Sequence, residues 1–358
     1  MRPLLADTLL AVLAAALSWS LIGLYTNAMA AARRLTHPNA RSMHRIPVPA
    51  GAGLAIVATA LVLWLMWQRA AVMAHLLLIA SFAALAAVSW IDDRRPLSPA
   101  LRLGAQAIAV ALCLATLAPD VRVVPAVPIL AERIVLGLCW LWFINLFNFM
   151  DGIDGLAGSE AVAVAVGYLL VLTAMGVDGP LWRLALIIAA ASAAYLAWNW
   201  HPAKVFMGDA GSISLGFVLG WLMIDLGVRG QWPAAVILPL YFAADATFTL
   251  LRRAWSGKKP WEAHREHFYQ RAVLGGATPP AVVWRVGATN VVLVLLALLS
   301  INRPVLALLG AAATVALLLL RLGRLARIAS ASPARFTPEP GPATIGSSPA
   351  APAPDGPR

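Results

Sequence analysis

Hydrophobic residues in this chain come in long runs separated by short polar stretches. With soft edges, the runs fall at 4–24, 50–67, 71–90, 101–118, 129–149, 157–175, 181–199, 213–228, 233–251, 281–300 and 303–320. Crossing a bilayer core takes about 20 mostly apolar residues in a helix, so these are eleven candidate spans. Some runs are short, and almost no loop separates the pairs within 50–90 and within 281–320. The pattern predicts an all-α, polytopic integral membrane protein with ten or eleven transmembrane helices. Tyr25, Trp67, Trp90, Trp198 and Trp200 stand at run edges, where an aromatic belt places such rings. The first run is long and leads into further spans, so it reads as a retained helix rather than a cleaved leader. From Ala329 the chain turns to Ser, Pro, Ala and Gly through Arg358. Residues 1–328 therefore read as one transmembrane domain and 329–358 as a disordered tail.

Composition agrees with the pattern. Of 358 residues, 61% are hydrophobic and 12% charged, and mean hydropathy is +0.79. Soluble domains carry about 45–50% apolar and about 25% charged residues, which excludes an ordinary soluble enzyme and a disordered chain. Cys113 and Cys139 both lie in apolar runs, giving neither a disulfide framework nor a zinc site. The net charge of +11 reads as membrane orientation, not nucleic-acid binding.

Alternate loops share one side of the membrane. The odd-numbered loops are 25–49, 91–100, 150–156, 200–212 and 252–280. Of the 27 Lys and Arg residues, only Arg2, Arg69, Arg122, Arg133, Arg183, Arg229 and Arg303 fall on the other side, which leaves 20 with the odd loops and the C-terminus. The positive-inside rule puts that side in the cytoplasm. The same loops hold nearly all the residues with chemical potential.

Asn145-Leu-Phe-Asn148-Phe-Met-Asp151-Gly-Ile-Asp154-Gly is the most informative stretch. Asn148, Asp151 and Asp154 are spaced by three and share one face if the helix continues through them. Their oxygens suit Mg²⁺ or the hydroxyls and amides of a nucleotide. A Gly-rich turn with capping aspartates is the plainer reading, but it leaves two Asn among Phe, Leu and Met unexplained. Asn199-Trp-His-Pro-Ala-Lys204-Val-Phe206-Met-Gly208-Asp209-Ala-Gly211-Ser212 is the second cluster, with a helix expected after Ser212. A helix N-terminus favours anions and Lys204 adds charge; Phe206 is either core or a stacking surface for a base.

Asp92-Asp93 ends an apolar run and precedes Arg94-Arg95. The pair reads either as a solvated helix end or as carboxylates that bind metal or activate a nucleophile. His264, Arg265, His267 and Arg271 lie in a cationic loop that either marks orientation or clamps a diphosphate. His44 to Gly53 is a Pro- and Gly-fixed loop expected to re-enter the membrane surface. No phosphate-binding P-loop, G-x-G-x-x-G, catalytic triad or D-D-x-x-D spacing occurs.

At these residues the chain resembles the polyprenyl-phosphate N-acetylhexosamine-1-phosphate transferases, over about 37–275. NFMDGIDGLAG, VFMGDAGS and IDDRRPLSPALRLGAQ carry the resemblance, and HREHFYQR is closer to the O-antigen and common-polysaccharide initiators than to the peptidoglycan enzyme. Val48 and Ala50 replace the Thr and Arg of the family's first-loop pattern. The resemblance implies that Asn148 and Asp209 bind Mg²⁺, or Mn²⁺ in its place. It implies that Asp151 and Asp154 contact the nucleotide-sugar, that Phe206 packs on uracil, and that His264, Arg265 and His267 hold the diphosphate. Asp92 and Asp93 match the acidic pair assigned to lipid-phosphate activation or metal support, Arg102 is the basic residue that follows it, and Asn199 and Lys204 join the substrate site. The implied partners are a UDP-N-acetylhexosamine, a polyprenyl phosphate and the membrane, with no nucleic acid. The implied home is the bacterial inner membrane, with a cytoplasmic active site. A multispan transporter or flippase of lipid-linked sugar is the alternative, resting on Asp225 and Asp245 in late spans; a catalytically dead scaffold is a further one.

Overall fold

A computed structural model describes residues 2–32, 47–68, 72–259, 262 and 264–330. The tail beyond Ser330 and most of the first loop, including His37 and His44, lie outside the described residues. Among those described, the chain forms helices and no strand. In chain order they are α1 (Arg2–Ala31), α2 (Gly53–Trp67), α3 (Leu76–Asp92), α4 (Pro99–Leu114), α5 (Ile129–Met150), α6 (Leu156–Ala174), α7 (Pro180–Asn199), α8 (Asp209–Leu226), α9 (Trp232–Ile237), α10 (Leu240–Trp255), α11 (Phe268–Leu274), α12 (Pro279–Ser300) and α13 (Pro304–Ser330). Eight helical stretches are long and apolar enough to cross a membrane. The α2 and α4 helices, 15 and 16 residues long, rise about 23 Å, short of a core about 30 Å thick.

Local chemistry sets several ends. Ser98 caps α4, its hydroxyl accepting from the Leu101 amide at 3.3 Å with Pro99 following; Thr278 and Pro279 do the same for α12. A small oxygen at the cap satisfies one orphan donor, and proline next has no amide to satisfy. The run at 233–251 differs from the single helix the pattern predicts. The chain kinks at Gly230, φ +80° and ψ 4°, between α8 and α9, and a new helix starts after Pro239. Proline has no amide to donate and its ring crowds the preceding turn, so the helix breaks there.

At the centre stands α8. It is buried along almost its whole length, and it packs against α2, α3, α5 and α6. Gly53 and Gly211 bring α2 and α8 so close that a β-carbon on Gly53 would lie 2.2 Å from the Gly211 α-carbon. Because the helices alternate in direction, the ends of α3, α5 and α7 and the starts of α4, α6 and α8 lie at one face.

Candidate active site

That face gathers the acidic motifs. The α5 helix stops at Met150 and Asp151 takes a non-helical backbone, φ −82° and ψ 60°. The shared face expected for Asn148, Asp151 and Asp154 therefore does not form, because the two glycines after Asp151 favour a turn. A helix start after Ser212 is also corrected: α8 begins at Asp209, four residues before Ile213, behind Gly208 at φ +76°. Ser212 is thus already helical, and its hydroxyl accepts from the Asn148 amide at 2.8 Å.

Asn148 and Asp209 meet directly. The Asn148 Nδ2 donates to Asp209 Oδ1 at 2.9 Å, a bond that leaves the Asn148 side-chain oxygen and the second Asp209 oxygen unused by it. Asp93 lies alongside, its carboxylate accepting from the amides of Asp209 at 3.2 Å and Ala210 at 3.3 Å. It caps α8 from α3. Its neighbour Asp92 turns elsewhere, accepting from the Leu97 amide at 2.7 Å and from Arg102 Nη1 at 3.0 Å. The same guanidinium nitrogen stands 3.9 Å from Asp209 Oδ2. One arginine thus serves two carboxylates.

Asp151 receives no hydrogen bond from any described residue, unlike its neighbours. Burial, with the charges of Asp209, Asp154 and Asp93, pushes its carboxyl up to about 7. Burial and Asp209 push Asp93 up to about 6, against the two amide bonds that lower it. Crowded carboxylates of this kind are relieved by a cation. Among the described residues no three His, Cys, Asp or Glu side chains group closely enough to hold a metal. The oxygens of Asn148 and Asp209 nevertheless fit Mg²⁺, which is usually held by one or two protein ligands with substrate phosphates and water completing its shell.

Two predicted substrate residues hold loops instead of facing outward. Asn199 is buried, its Oδ1 accepting from Gly155 N and its Nδ2 donating to Val205 O, both at 2.8 Å. Asp154 Oδ2 lies 2.7 Å from His201 Nδ1 and accepts from Ala203 N at 3.1 Å. Together they tie the turn after α5 to the loop before α8. Phe206 is half-buried, and its backbone pairs with the first loop: its amide donates to Pro49 O at 2.8 Å, and its carbonyl accepts from Gly51 and Ala52 at 3.1 Å. Lys204 is exposed, its ammonium 5.8 Å from the Trp198 ring.

The basic loop is anchored at its C-terminal end. Asp245 on α10 is fully buried and accepts from the first amides of α11, Phe268 at 2.9 Å and Tyr269 at 3.2 Å. Tyr269 reaches back to Phe149 O at 3.2 Å, so α11 leans on the turn that carries Asp151. His267 is buried beside Asp245, 3.4 Å away. His264 and Arg265 are half-buried. Burial, then His267 and Arg253, push His264 down to about 4, leaving it a neutral hydrogen-bonding group at physiological pH. Sequence reasoning did not find the capping role of Asp245; an acid inside an apolar run was its only signal. Nor did it find the pairing of Asn145 with Gln106, 2.8 Å apart.

Hard oxygen donors, a guanidinium and a helix N-terminus gather at one face of a polytopic, helical membrane protein. Residues 74–227 match glycosyl transferase family 4. The match includes every acid from Asp92 to Asp209 and stops before the basic loop. Among curated relatives, the chain is 31% identical to a probable undecaprenyl-phosphate N-acetylglucosaminyl 1-phosphate transferase of Bacillus subtilis, over 42% of this chain and 45% of the relative. It is 41% identical to a phospho-N-acetylmuramoyl-pentapeptide-transferase of Moorella thermoacetica, over 22% of this chain and 25% of the relative. A protein of the same name from Streptococcus equi subsp. zooepidemicus matches at 32% over 40% of this chain and 43% of the relative. The matched stretches span less than half the length of each of these relatives.

Proposed function

We propose that this chain moves an N-acetylhexosamine 1-phosphate from a UDP-sugar onto a polyprenyl phosphate such as undecaprenyl phosphate, releasing UMP at the cytoplasmic face of a bacterial inner membrane. The product would start a cell-envelope polysaccharide. The observation that carries the reading is the Asn148–Asp209 pair at the start of α8, with the unbonded Asp151 carboxylate beside it. The names of the relatives point to the same chemistry.

An oxygen of the acceptor phosphate attacks the β-phosphorus of the UDP-sugar, and the bond to the UMP oxygen breaks. A phosphate monoester has a second pKa of about 6, so the acceptor is mostly dianionic at neutral pH and needs little general-base help. Asn148 and Asp209 would hold Mg²⁺ or Mn²⁺. Such an ion supplies charge neutralisation at the diphosphate oxygens. Asp93 keeps α8 in register with the end of α3, and Asp92 orients Arg102 toward the same centre, where its guanidinium can take a phosphate oxygen. Arg265 and the neutral His264 would hold the diphosphate. The transporter reading finds less support, since Asp225 is bonded to Tyr168 and Arg229 and Asp245 caps α11.

The test is direct. Membranes containing the chain are incubated with labelled UDP-N-acetylglucosamine, undecaprenyl phosphate and Mg²⁺. Label should move into the lipid extract with release of UMP. No lipid-linked label, with this and a panel of other UDP-N-acetylhexosamines, would overturn the reading.

A further inference from the structure

A cavity lies at the end of the bundle opposite the acidic centre. It has a volume of about 500 Å³ and is lined by residues that include His75, Asp178, Trp182, Trp221, Asp225 and Arg229. Asp225 and Asp209 are on the same helix, sixteen residues apart, which is about 24 Å along its axis. The cavity is therefore separate from the acidic centre and opens toward the other membrane surface.

Its walls are built. Trp64 Nε1 donates to Pro180 O at 2.8 Å, and the His75 ring stands edge-on to Trp64 at 5.3 Å. Those contacts fix two sides of the rim. Arg229 makes a two-point pair with Asp225, at 2.7 and 3.0 Å, and the Tyr168 hydroxyl donates to the same carboxylate at 2.6 Å. Three groups remain with bonding capacity. Asp178 is exposed and receives no bond from a described residue. The Arg229 Nη1 makes none of the bonds to Asp225. Trp221, 6% exposed, has an indole N–H with no acceptor. An unsatisfied buried donor is destabilising, so a partner for it would be stabilising.

The chemistry narrows the ligand. Two carboxylates against one guanidinium disfavour a phosphate, and most of that guanidinium is already engaged by Asp225. A bare ammonium ion suits the carboxylates but offers nothing to the free indole and guanidinium donors. A hydrocarbon tail would strand all three polar groups. A sugar ring supplies donors and acceptors together, with an apolar face for the indoles, and 500 Å³ lies within the usual range for a small-ligand pocket.

We propose that this cavity is a carbohydrate-binding site, distinct from the acidic centre, with Asp178, Arg229 and Trp221 taking the sugar hydroxyls and Trp182 lining its apolar face. The proposal stands whether or not the chain is a transferase.

The test uses the whole chain in phosphatidylglycerol nanodiscs, which avoids sugar-headed detergents. Saturation-transfer NMR is recorded with N-acetylglucosamine and glucose, and with a short alkyl glucoside as a lipid-borne sugar; inorganic phosphate and choline are controls. Saturable transfer to a sugar is expected, with affinity at least about tenfold weaker in Asp178→Asn and in Trp182→Leu, the loss of roughly 1.4 kcal/mol. Asp151→Asn, at the other face, should bind the sugar as the parent does. Response to the alkyl glucoside alone would assign the site to lipid-borne sugar, and response to free sugars as well to soluble sugar; both support it. No saturable sugar response, a response lost in Asp151→Asn and kept in Asp178→Asn, or preference for phosphate or choline would each overturn it.

Discussion

At the scale of single residues, the site depends on the bond that joins Asn148 to Asp209. Asp209 has one oxygen committed to Asn148, so Asp209→Asn removes the charge at the cation position while keeping the shape. Sugar-phosphate transfer should fall at least a hundredfold with little change in thermal unfolding temperature, measured on the same purified protein. The Asp151 carboxyl makes a pH prediction. Its folded pKa, about 7, lies above the usual 3.8, so the folded state holds its proton where the unfolded state has lost it. Stability should then fall as pH rises from about 4 to about 7 and level off above. Thermal unfolding in EDTA should show this decline, and added Mg²⁺ should reverse it most at pH 8, where the carboxyl is ionised. A midpoint that rises over that interval in EDTA would refute the assignment. Asn199 behaves differently, because both ends of its amide satisfy buried backbone groups. Asn199→Ala should cost about 1–3 kcal/mol for each group orphaned, seen as a lower unfolding temperature, with activity lost through unfolding rather than through weaker substrate binding.

At the scale of elements, the positions of the α-helices followed closely from hydrophobic runs, because a membrane segment has one way to satisfy its backbone. The ends did not follow. Gly152 and Gly155 stop α5 before Asp151 and set the acids on a turn rather than a stripe, and Pro239 divides the run at 233–251. The identity of the acidic residues was legible in their motifs. Their division of labour was not, since Asp92 and Asp93 are adjacent in sequence but bond to different elements, Arg102 on α4 and the amides of α8. The α2–α8 contact gives a prediction of its own. Gly53→Ala would drive a β-carbon to 2.2 Å from Gly211, whereas a methyl added at Gly104, on α4, meets nothing within 4 Å. Gly53→Ala should lower both activity and unfolding temperature. Gly104→Ala should leave activity unchanged and raise stability by up to about 1 kcal/mol, the helical preference of Ala over Gly.

At the scale of the whole molecule, the proposed reaction exchanges one phosphoanhydride for another. A catalyst lowers both barriers equally, so the reaction should run backwards. Excess UMP added to preformed lipid-linked product should regenerate UDP-sugar, with the same need for Mg²⁺ and for Asp209; chromatography of the nucleotide pool would detect it. Failure of the back-reaction while the forward one proceeds would rule out single-step exchange. The pairing of residues 49–53 with Phe206 and Met207 has a further consequence, for biogenesis. These partners are separated by more than 150 residues, so an emerging chain exposes the first loop while all six helices from α2 to α7 are made, before its mate is synthesised. Asp93 and Asn148 also wait, across 116 and 61 residues, for the amides and carboxylate that α8 brings. Closing contacts this distant is slow, and until α8 threads among its neighbours a nascent chain should remain open to quality-control proteases. The same stitch that makes the centre rigid once complete makes the unfinished protein vulnerable.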